Sequence, residues 1–183
     1  ASLDNNILCI AEKSVVAMRQ IEPQLVQEMV KVGCVLIENQ QDIQRLVDLT
    51  VLPNGTPNKQ FVGKNASVIL DAAHIPYNGD PRLIIMRTPK NHPFAVIEML
   101  MPILPVVTVD SFDEGIDVCL MLEAGLHHTA TMHSLNMERL NRMARKMKTS
   151  IFVKNGPSYA GLGFSGEGTT TFTIATPTGE STT

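Results

Sequence analysis

The sequence predicts an α/β fold in which helices cover a mostly parallel, twisted sheet. Short apolar runs alternate with helical patterns, most cleanly in the second half of the chain. Strands that alternate with helices are joined by crossover connections, which favour parallel strands in one sheet. The composition, 44% hydrophobic and 18% charged, is typical of a globular protein, and 183 residues are enough for one domain with a substantial core.

The first half of the chain begins with a predicted strand at residues 13–18. Pro23 suits the first position of a helix, and Gly33 is placed to end that helix. The pattern then predicts a core strand at residues 34–37, a helix after Asn39, a turn at residues 53–55 and a short helix at residues 65–73.

The second half continues the alternation. Ser111, followed three residues later by Glu114, is a capping-box pattern that opens a helix, and Gly125 ends that helix. The remaining predicted elements are strands at residues 82–87, 105–109, 128–132 and 150–154, and a helix at residues 136–147.

Charge and cysteine content exclude several classes of protein. A net charge of −3 gives no electrostatic basis for binding nucleic acid. No apolar run approaches the roughly 18–20 residues that cross a bilayer, and no signal peptide is recognisable. Three cysteines without close spacing argue against a disulfide framework and indicate a reducing compartment. We therefore expect a soluble, cytoplasmic protein.

Cys9 has the most informative surroundings of the three thiols. A polar, turn-prone triplet at residues 4–6 leads into a short apolar run that contains Cys9, and a strand follows. This context could hold a reactive thiolate at the rim of a cleft, whereas a buried structural cysteine is the alternative. Cys34 lies in an apolar run and Cys119 on an apolar helix face, so we expect both to be structural.

Two stretches resemble one family closely. DNNILCIAEKS at residues 4–14 is similar to the nucleophile segment of the CoA-acylating aldehyde dehydrogenases, in particular the propionaldehyde and acetaldehyde dehydrogenases of bacterial microcompartments for propanediol and ethanolamine utilisation. TSIFVKNGPSYAGLG at residues 149–163, with GEG at 166–168 and TPTGE at 176–180, resembles their C-terminal signature. The resemblance covers nearly the whole chain and is loosest at residues 53–81, while Ser181 stands where that pattern has glycine.

The resemblance implies a role for four side chains. Cys9 would be the catalytic nucleophile that carries the acyl group. Glu98, in EMLMPILPV, would hold the ribose hydroxyls of NAD, a task that suits a carboxylate because it accepts two hydrogen bonds; a solvated or capping glutamate is the alternative. Ser158 and Tyr159 would line the substrate tunnel, although the same segment also reads as a glycine-rich loop between strands.

The resemblance further implies that a short aldehyde, propionaldehyde first, is oxidised with NAD and transferred to coenzyme A. We expect residues 1–183 to form a single catalytic domain of the aldehyde dehydrogenase fold, without the dinucleotide-binding domain and the C-terminal segment of the family, and to be inactive alone. We also expect a homo-oligomer inside a microcompartment, with shell or cargo contacts. A non-acylating aldehyde dehydrogenase and an inert assembly or cargo domain are the alternatives.

Other motifs are expected to be structural. GLGFSG at residues 161–166 matches a dinucleotide fingerprint, but a six-residue linker separates it from the preceding strand and a β-favouring segment follows. Strand alternation would direct His127 and His128 to opposite faces, so we expect no metal site. A basic run suits either a phosphate-rich ligand or, more commonly, a solvated helix face: Arg139, Arg142, Arg145, Lys146 and Lys148.

Overall fold

The computed structural model describes residues 1–163. The chain forms two compact units, Ala1–Gly115 and Ile116–Thr183. The expectation of a single catalytic domain over residues 1–183 stays a prediction. No helix among the described residues is long and apolar enough to cross a membrane.

The first unit contains a four-stranded sheet in which every neighbouring pair is parallel. The two inner strands, β3 and β4, are almost completely buried, which explains why they read as continuous apolar runs. The predicted α/β class with a mostly parallel sheet is therefore confirmed. In the order β1-β4-β3-β2, the strands are β1 (Val15–Met18), β4 (Ile103–Val109), β3 (Leu83–Arg87) and β2 (Cys34–Leu36).

Four helices accompany this sheet. Pro23 lies in the first turn of α1, and the chain leaves that helix through Gly33 at a φ of +100°. Asn39 caps α2 by accepting a hydrogen bond from the backbone N–H of Gln41 at 2.8 Å. The helices are α1 (Glu22–Lys31), α2 (Gln40–Thr50), α3 (Ala66–Ala72) and α4 (Pro93–Val96), of which α4 was not predicted.

The larger core cluster of the first unit joins the helices α2, α3 and α4 to the sheet. Leu46, Ile69 and Phe94 come from these three helices, and each has 0% of its surface exposed. Burying a large apolar side chain stabilises a fold by about 1.5–3 kcal/mol. The segment that follows α4, which contains Glu98, is therefore anchored through the buried Phe94 of that helix.

β4 begins two residues before the predicted strand and contains Pro105 in its interior. A proline removes a backbone donor, which is why the pattern places the strand start at this residue. The register of β4 against β1 starts with Val106 opposite Val15, one residue after the proline. Pro105 consequently lies just before the β1 ladder and is tolerated in an inner strand.

The second unit contains a two-stranded parallel sheet and the helix between its strands. Helix α5 (Phe112–Glu123), within which the boundary between the units falls, begins with the predicted cap: the Ser111 hydroxyl accepts from the Glu114 N–H at 3.1 Å. β5 (Thr129–Met132), α6 (Met137–Met147) and β6 (Ile151–Lys154) follow. Leu140, Met143 and Met147 are buried on one face of α6, whereas Met137, in its first turn, is 62% exposed.

Candidate active site

The backbone before Cys9 adopts an uncommon left-handed conformation. Asp4, Asn5 and Asn6 have φ values of 50°, 51° and 65°. Asparagine and aspartate tolerate this region better than other side chains, because their short polar groups hydrogen-bond locally. The polar triplet recognised in the sequence therefore turns the chain sharply immediately before the thiol.

Cys9 itself lies in a turn with its side chain exposed. The N–H of Ala11 donates to the carbonyl of Leu8 at 2.8 Å, which closes the turn around the cysteine. The buried Asn6 side chain donates through Nδ2 to the carbonyl of Glu12 at 3.3 Å and so connects the two ends of the segment. The thiol is accessible while the backbone that carries it is held on both sides.

The other two cysteines have different surroundings. Burial raises the pKa of the Cys119 thiol to about 11. Burial also raises the pKa of Cys34, which is half-buried beside β3. Desolvation disfavours the thiolate, the form that attacks electrophiles, so both thiols are unsuited to nucleophilic chemistry.

Glu98 precedes β4 and is exposed. Its position is set from the N-terminal side by α4, whose first turn is capped by His92: Nδ1 of His92 accepts from the N–H of Phe94 at 3.2 Å. Burial lowers the pKa of His92, which favours the neutral imidazole that this cap requires. On the C-terminal side the buried Met99 anchors the segment.

An open depression in the first unit brings Glu98 together with residues on both sides of Cys9. The strands β1 and β4 are adjacent and parallel, so the segments that precede them reach the same edge of the sheet. Cys9 lies between Leu8 and Ala11, which both contribute to the depression. Its lining residues are Asn6, Leu8, Ala11, Lys13, Glu98, Met99, Leu100 and Ile103.

Comparisons with known proteins bear on this site. No family model matches the chain. A propanal dehydrogenase (CoA-propanoylating) of Citrobacter freundii is 52% identical over an alignment of 184 residues that covers 100% of this chain and 40% of the relative. A Rhodopseudomonas palustris propionaldehyde dehydrogenase, solved with bound CoA and an acylated cysteine, has a TM-score of 0.94 at 44% identity, covering 100% of this chain and 42% of that one.

This chain is homologous to the CoA-acylating aldehyde dehydrogenases. The resemblance recognised in its sequence is thereby confirmed, and the chain spans about 40% of the length of the curated relatives it matches. Two further solved structures match 100% of this chain. One is a propionaldehyde dehydrogenase from the fucose utilisation microcompartment of Clostridium phytofermentans, with a TM-score of 0.94 at 42% identity, of which this chain covers 42%. The other is an engineered glycolyl-CoA reductase with bound NADP+, with a TM-score of 0.94 at 44% identity, of which this chain covers 41%.

In this acylating-dehydrogenase homologue, Ser158 and Tyr159 belong to the second unit. Both lie in a 3₁₀ helix at Ser158–Leu162; Ser158 is 3% exposed and Tyr159 is half-buried. Their assignment to a substrate tunnel stays a prediction. Residues 164–183, which include GEG and TPTGE of the C-terminal signature and Ser181, lie outside the described residues.

The two adjacent histidines precede β5 rather than lying in it, so strand alternation does not apply to them. Nδ1 of His127 lies 3.4 Å from the carbonyl oxygen of Met147, and Nδ1 of His128 lies 2.7 Å from the Thr129 hydroxyl. Both rings thus have local polar contacts within the second unit. Among the described residues, no group of three or more histidine, cysteine or acidic side chains is placed to hold a metal ion.

Sequence reasoning did not single out the side chains that surround the two candidate residues. Asn6 and Lys13 line the depression with Glu98, yet they received no role of their own. Both lie inside DNNILCIAEKS, the stretch that carries the family resemblance, and this was the available signal. Leu100 carried no such signal, because its left-handed φ of 54° follows from the structure and not from its residue type.

Proposed function

We propose that this chain is the nucleophile-bearing part of an NAD-dependent, CoA-acylating aldehyde dehydrogenase that acts on a short aliphatic aldehyde, with propionaldehyde favoured. The observation that carries the proposal is the exposed Cys9 turn beside the depression that Glu98 lines. The acylated cysteine and the bound CoA of the Rhodopseudomonas palustris homologue support the same chemistry. The propanal dehydrogenase of Citrobacter freundii supports the choice of aldehyde.

Cys9 is the group that forms and breaks bonds with the substrate. Its thiolate adds to the aldehyde carbon, so a C–S bond forms while the C=O π pair moves to oxygen and gives the alkoxide of a thiohemiacetal. The intermediate then loses a hydride from that carbon and becomes a thioester on Cys9. The thiolate of coenzyme A attacks the thioester carbonyl, acyl-CoA leaves, and the Cys9 thiolate is restored. Each step uses a sulfur that is accessible, and Cys9 meets this condition.

Glu98 is the proposed ligand of the cofactor. An exposed carboxylate at the rim of a depression fits a vicinal diol, because its two oxygens accept two hydrogen bonds. NAD held there would supply the hydride acceptor of the reaction. The NADP+ bound to the engineered glycolyl-CoA reductase supports a nicotinamide cofactor. Ser158 and Tyr159 are proposed to contact the aldehyde.

The biological setting is part of the proposal. The Clostridium phytofermentans homologue comes from a microcompartment, which supports an enzyme enclosed in such a shell. We further propose that the enzyme is cytoplasmic and acts there as a homo-oligomer. Because the chain spans about 40% of its curated relatives, we propose that it requires the rest of the enzyme for turnover. Residues 1–183 alone are therefore expected to be inactive as a dehydrogenase.

The proposal is tested in the full-length enzyme that carries this chain. Propionaldehyde and NAD without CoA are expected to release about one NADH per active site in a burst and then nearly stop, since the thioester accumulates. Adding CoA should restore steady turnover, with propionyl-CoA identified by mass spectrometry.

Matched cysteine variants identify the nucleophile. Cys9→Ser is expected to abolish the burst, and Cys34→Ser, at a half-buried thiol in the same unit, should retain it. Sustained formation of free acid without CoA contradicts the acylating assignment and favours a hydrolytic aldehyde dehydrogenase. A full burst in the Cys9→Ser variant removes Cys9 from the mechanism.

A further inference from the structure

Asn5 connects the Cys9 segment to the Glu98 segment through the backbone of Gly63. Its side-chain Nδ2 donates to the carbonyl of Gly63 at 3.0 Å and to Oδ1 of Asn65 at 2.8 Å. The N–H of the same Gly63 donates to the carbonyl of Leu100 at 2.9 Å. Asn5 lies four residues before Cys9, and Leu100 lies two residues after Glu98. The backbone of one glycine therefore touches both segments.

The contact with Asn65 shows that this connection replaces an ordinary local interaction. Asn65 is the N-cap residue of α3, a position where asparagine usually accepts a hydrogen bond from a backbone N–H of the first turn. In the described structure its side chain makes no capping bond, and its oxygen accepts from Asn5 instead. Both hydrogens of the Asn5 amide are thus used, which no carboxylate or apolar side chain could reproduce.

Residues 58–65, which connect the Cys9 segment to the Glu98 segment, are anchored by backbone and side-chain hydrogen bonds. Asn58 donates through its backbone N–H to the carbonyl of Thr50 at 2.7 Å and through Nδ2 to the carbonyl of Leu49 at 2.9 Å. The N–H of Lys64 donates to the carbonyl of Phe61 at 3.1 Å and closes a further turn. Residues 58–65 are therefore tied to α2 at Asn58 and contain a hydrogen-bonded turn before Asn65, so they form a spacer with defined backbone contacts.

We propose that Asn5 is a positioning residue that sets the location of the Cys9 thiol relative to Glu98, with residues 58–65 as the spacer between them. This inference rests on the proposed function, because it assigns a purpose to the distance between nucleophile and cofactor. Hydride transfer requires the thiohemiacetal carbon at a defined place relative to the nicotinamide. Addition of an alkylating reagent to the thiol requires only the local Cys9 turn, whose own bonds do not involve Asn5.

The distinguishing expectation is that hydride transfer and thiol reactivity respond differently. A displacement of about 1 Å at a reacting group can slow a reaction as much as a hundredfold. In Asn5→Asp, which keeps the shape of the side chain but removes both donated bonds, the NADH burst should slow by roughly tenfold or more. Alkylation of Cys9 by iodoacetamide should stay within about twofold of the wild-type rate, because its turn is retained.

The experiment compares stopped-flow NADH bursts and iodoacetamide rates in the full-length enzyme. Asn54→Asp is the matched control, since Asn54 acts as an acceptor for Thr56 and a carboxylate preserves that role. Asn65→Asp should likewise behave as wild type because it keeps the acceptor oxygen. Asn65→Ala removes one of the two bonds of Asn5, so its burst should fall between those of the wild type and Asn5→Asp; it also serves if Asn5→Asp does not fold.

Each outcome decides the inference. A slow burst with normal alkylation in Asn5→Asp and Asn65→Ala, and normal behaviour of both controls, supports it. A wild-type burst rate in Asn5→Asp overturns the positioning role and leaves the proposed function intact. Burst and alkylation rates that fall in parallel overturn it as well, because they indicate a general defect of the fold. Absence of a burst in the wild-type enzyme overturns the proposed function and this inference with it.

Discussion

Gly63 is the position at which a single methyl group tests the packing beside Cys9. Its φ is +68°, in the left-handed region. A Cβ added to it would lie 2.6 Å from Cδ1 of Ile7, closer than the 3.0 Å below which real Cβ atoms are essentially never found. The variant Gly63→Ala must therefore move the Ile7 side chain as well as strain its own backbone.

Two effects of Gly63→Ala contribute to the loss of stability: the strained backbone at residue 63 and the displaced Ile7 side chain. A side chain in the left-handed region costs roughly 1–2 kcal/mol. Ile7 is 42% exposed and the clashing atom is its terminal methyl, so it can rotate away at the cost of an off-rotamer angle, on the order of 0.5–1.5 kcal/mol. We expect Gly63→Ala to lower the free energy of unfolding by about 1.5–3.5 kcal/mol in total.

Gly55→Ala is the matched control for the backbone contribution. Gly55 has a φ of +78° with nothing within 4 Å of an added Cβ. The free energy of unfolding of Gly55→Ala should therefore fall by only about 1–2 kcal/mol. Urea unfolding followed by far-UV circular dichroism suits this chain, which contains no tryptophan. In a double-mutant cycle, Ile7→Ala should recover the clash energy of Gly63→Ala. Equal losses in the two glycine variants, with no coupling to Ile7→Ala, would refute this account of the packing.

Three further predictions follow from the surroundings of individual groups. Limiting iodoacetamide at neutral pH should modify Cys9 before Cys119, whose pKa of about 11 leaves almost no thiolate, as peptide mass mapping would show. Burial lowers the pKa of His92 below its ordinary 6.5, so the unfolded chain binds a proton at this residue more readily than the folded chain. The contribution of His92 to stability should therefore be complete above pH 6.5 and decrease as the pH falls below it. His92→Asn keeps the cap and should lose this pH dependence in thermal melts. Calorimetric titration of NAD into residues 1–183 should show no saturable binding below millimolar concentration, and micromolar binding would contradict the expectation that other parts of the enzyme complete the cofactor site.

Most elements of the fold were predictable because their signals are local. Pro23 with Gly33, Asn39, and Ser111 with Glu114 mark helix ends through their own backbone and side-chain chemistry. The short helix α4 escaped prediction since it has only four residues and is capped by a histidine. The start of β4 was placed at its proline, and only the pairing of Ile103 with Ile84 of β3 explains why the strand begins earlier.

The site was predictable only in part, because some of its contacts join residues that are far apart in the sequence. Cys9 and Glu98 were predicted as site residues through resemblance to a family, and these roles stay predictions. The parallel pairing of β1 with β4 explains how Glu98 and the residues that flank Cys9 line one depression. The hydrogen bonds of Asn5 join residues 58 and 60 positions apart. No periodicity or spacing in a single sequence indicates a contact of that range.

The segment at residues 53–81, where we expect the weakest resemblance to the family, contains residues that contact the Cys9 segment. Gly55 and Gly79 have open space around them. Gly63 and Asn65 differ from these positions, because each contacts a residue of the Cys9 segment. The β1–β4 ladder determines where the two site segments begin, and this spacer fixes their backbones relative to each other. Tolerance to substitution in the segment should therefore be uneven, with residues 63 and 65 constrained by the chemistry of the thiol they help to place.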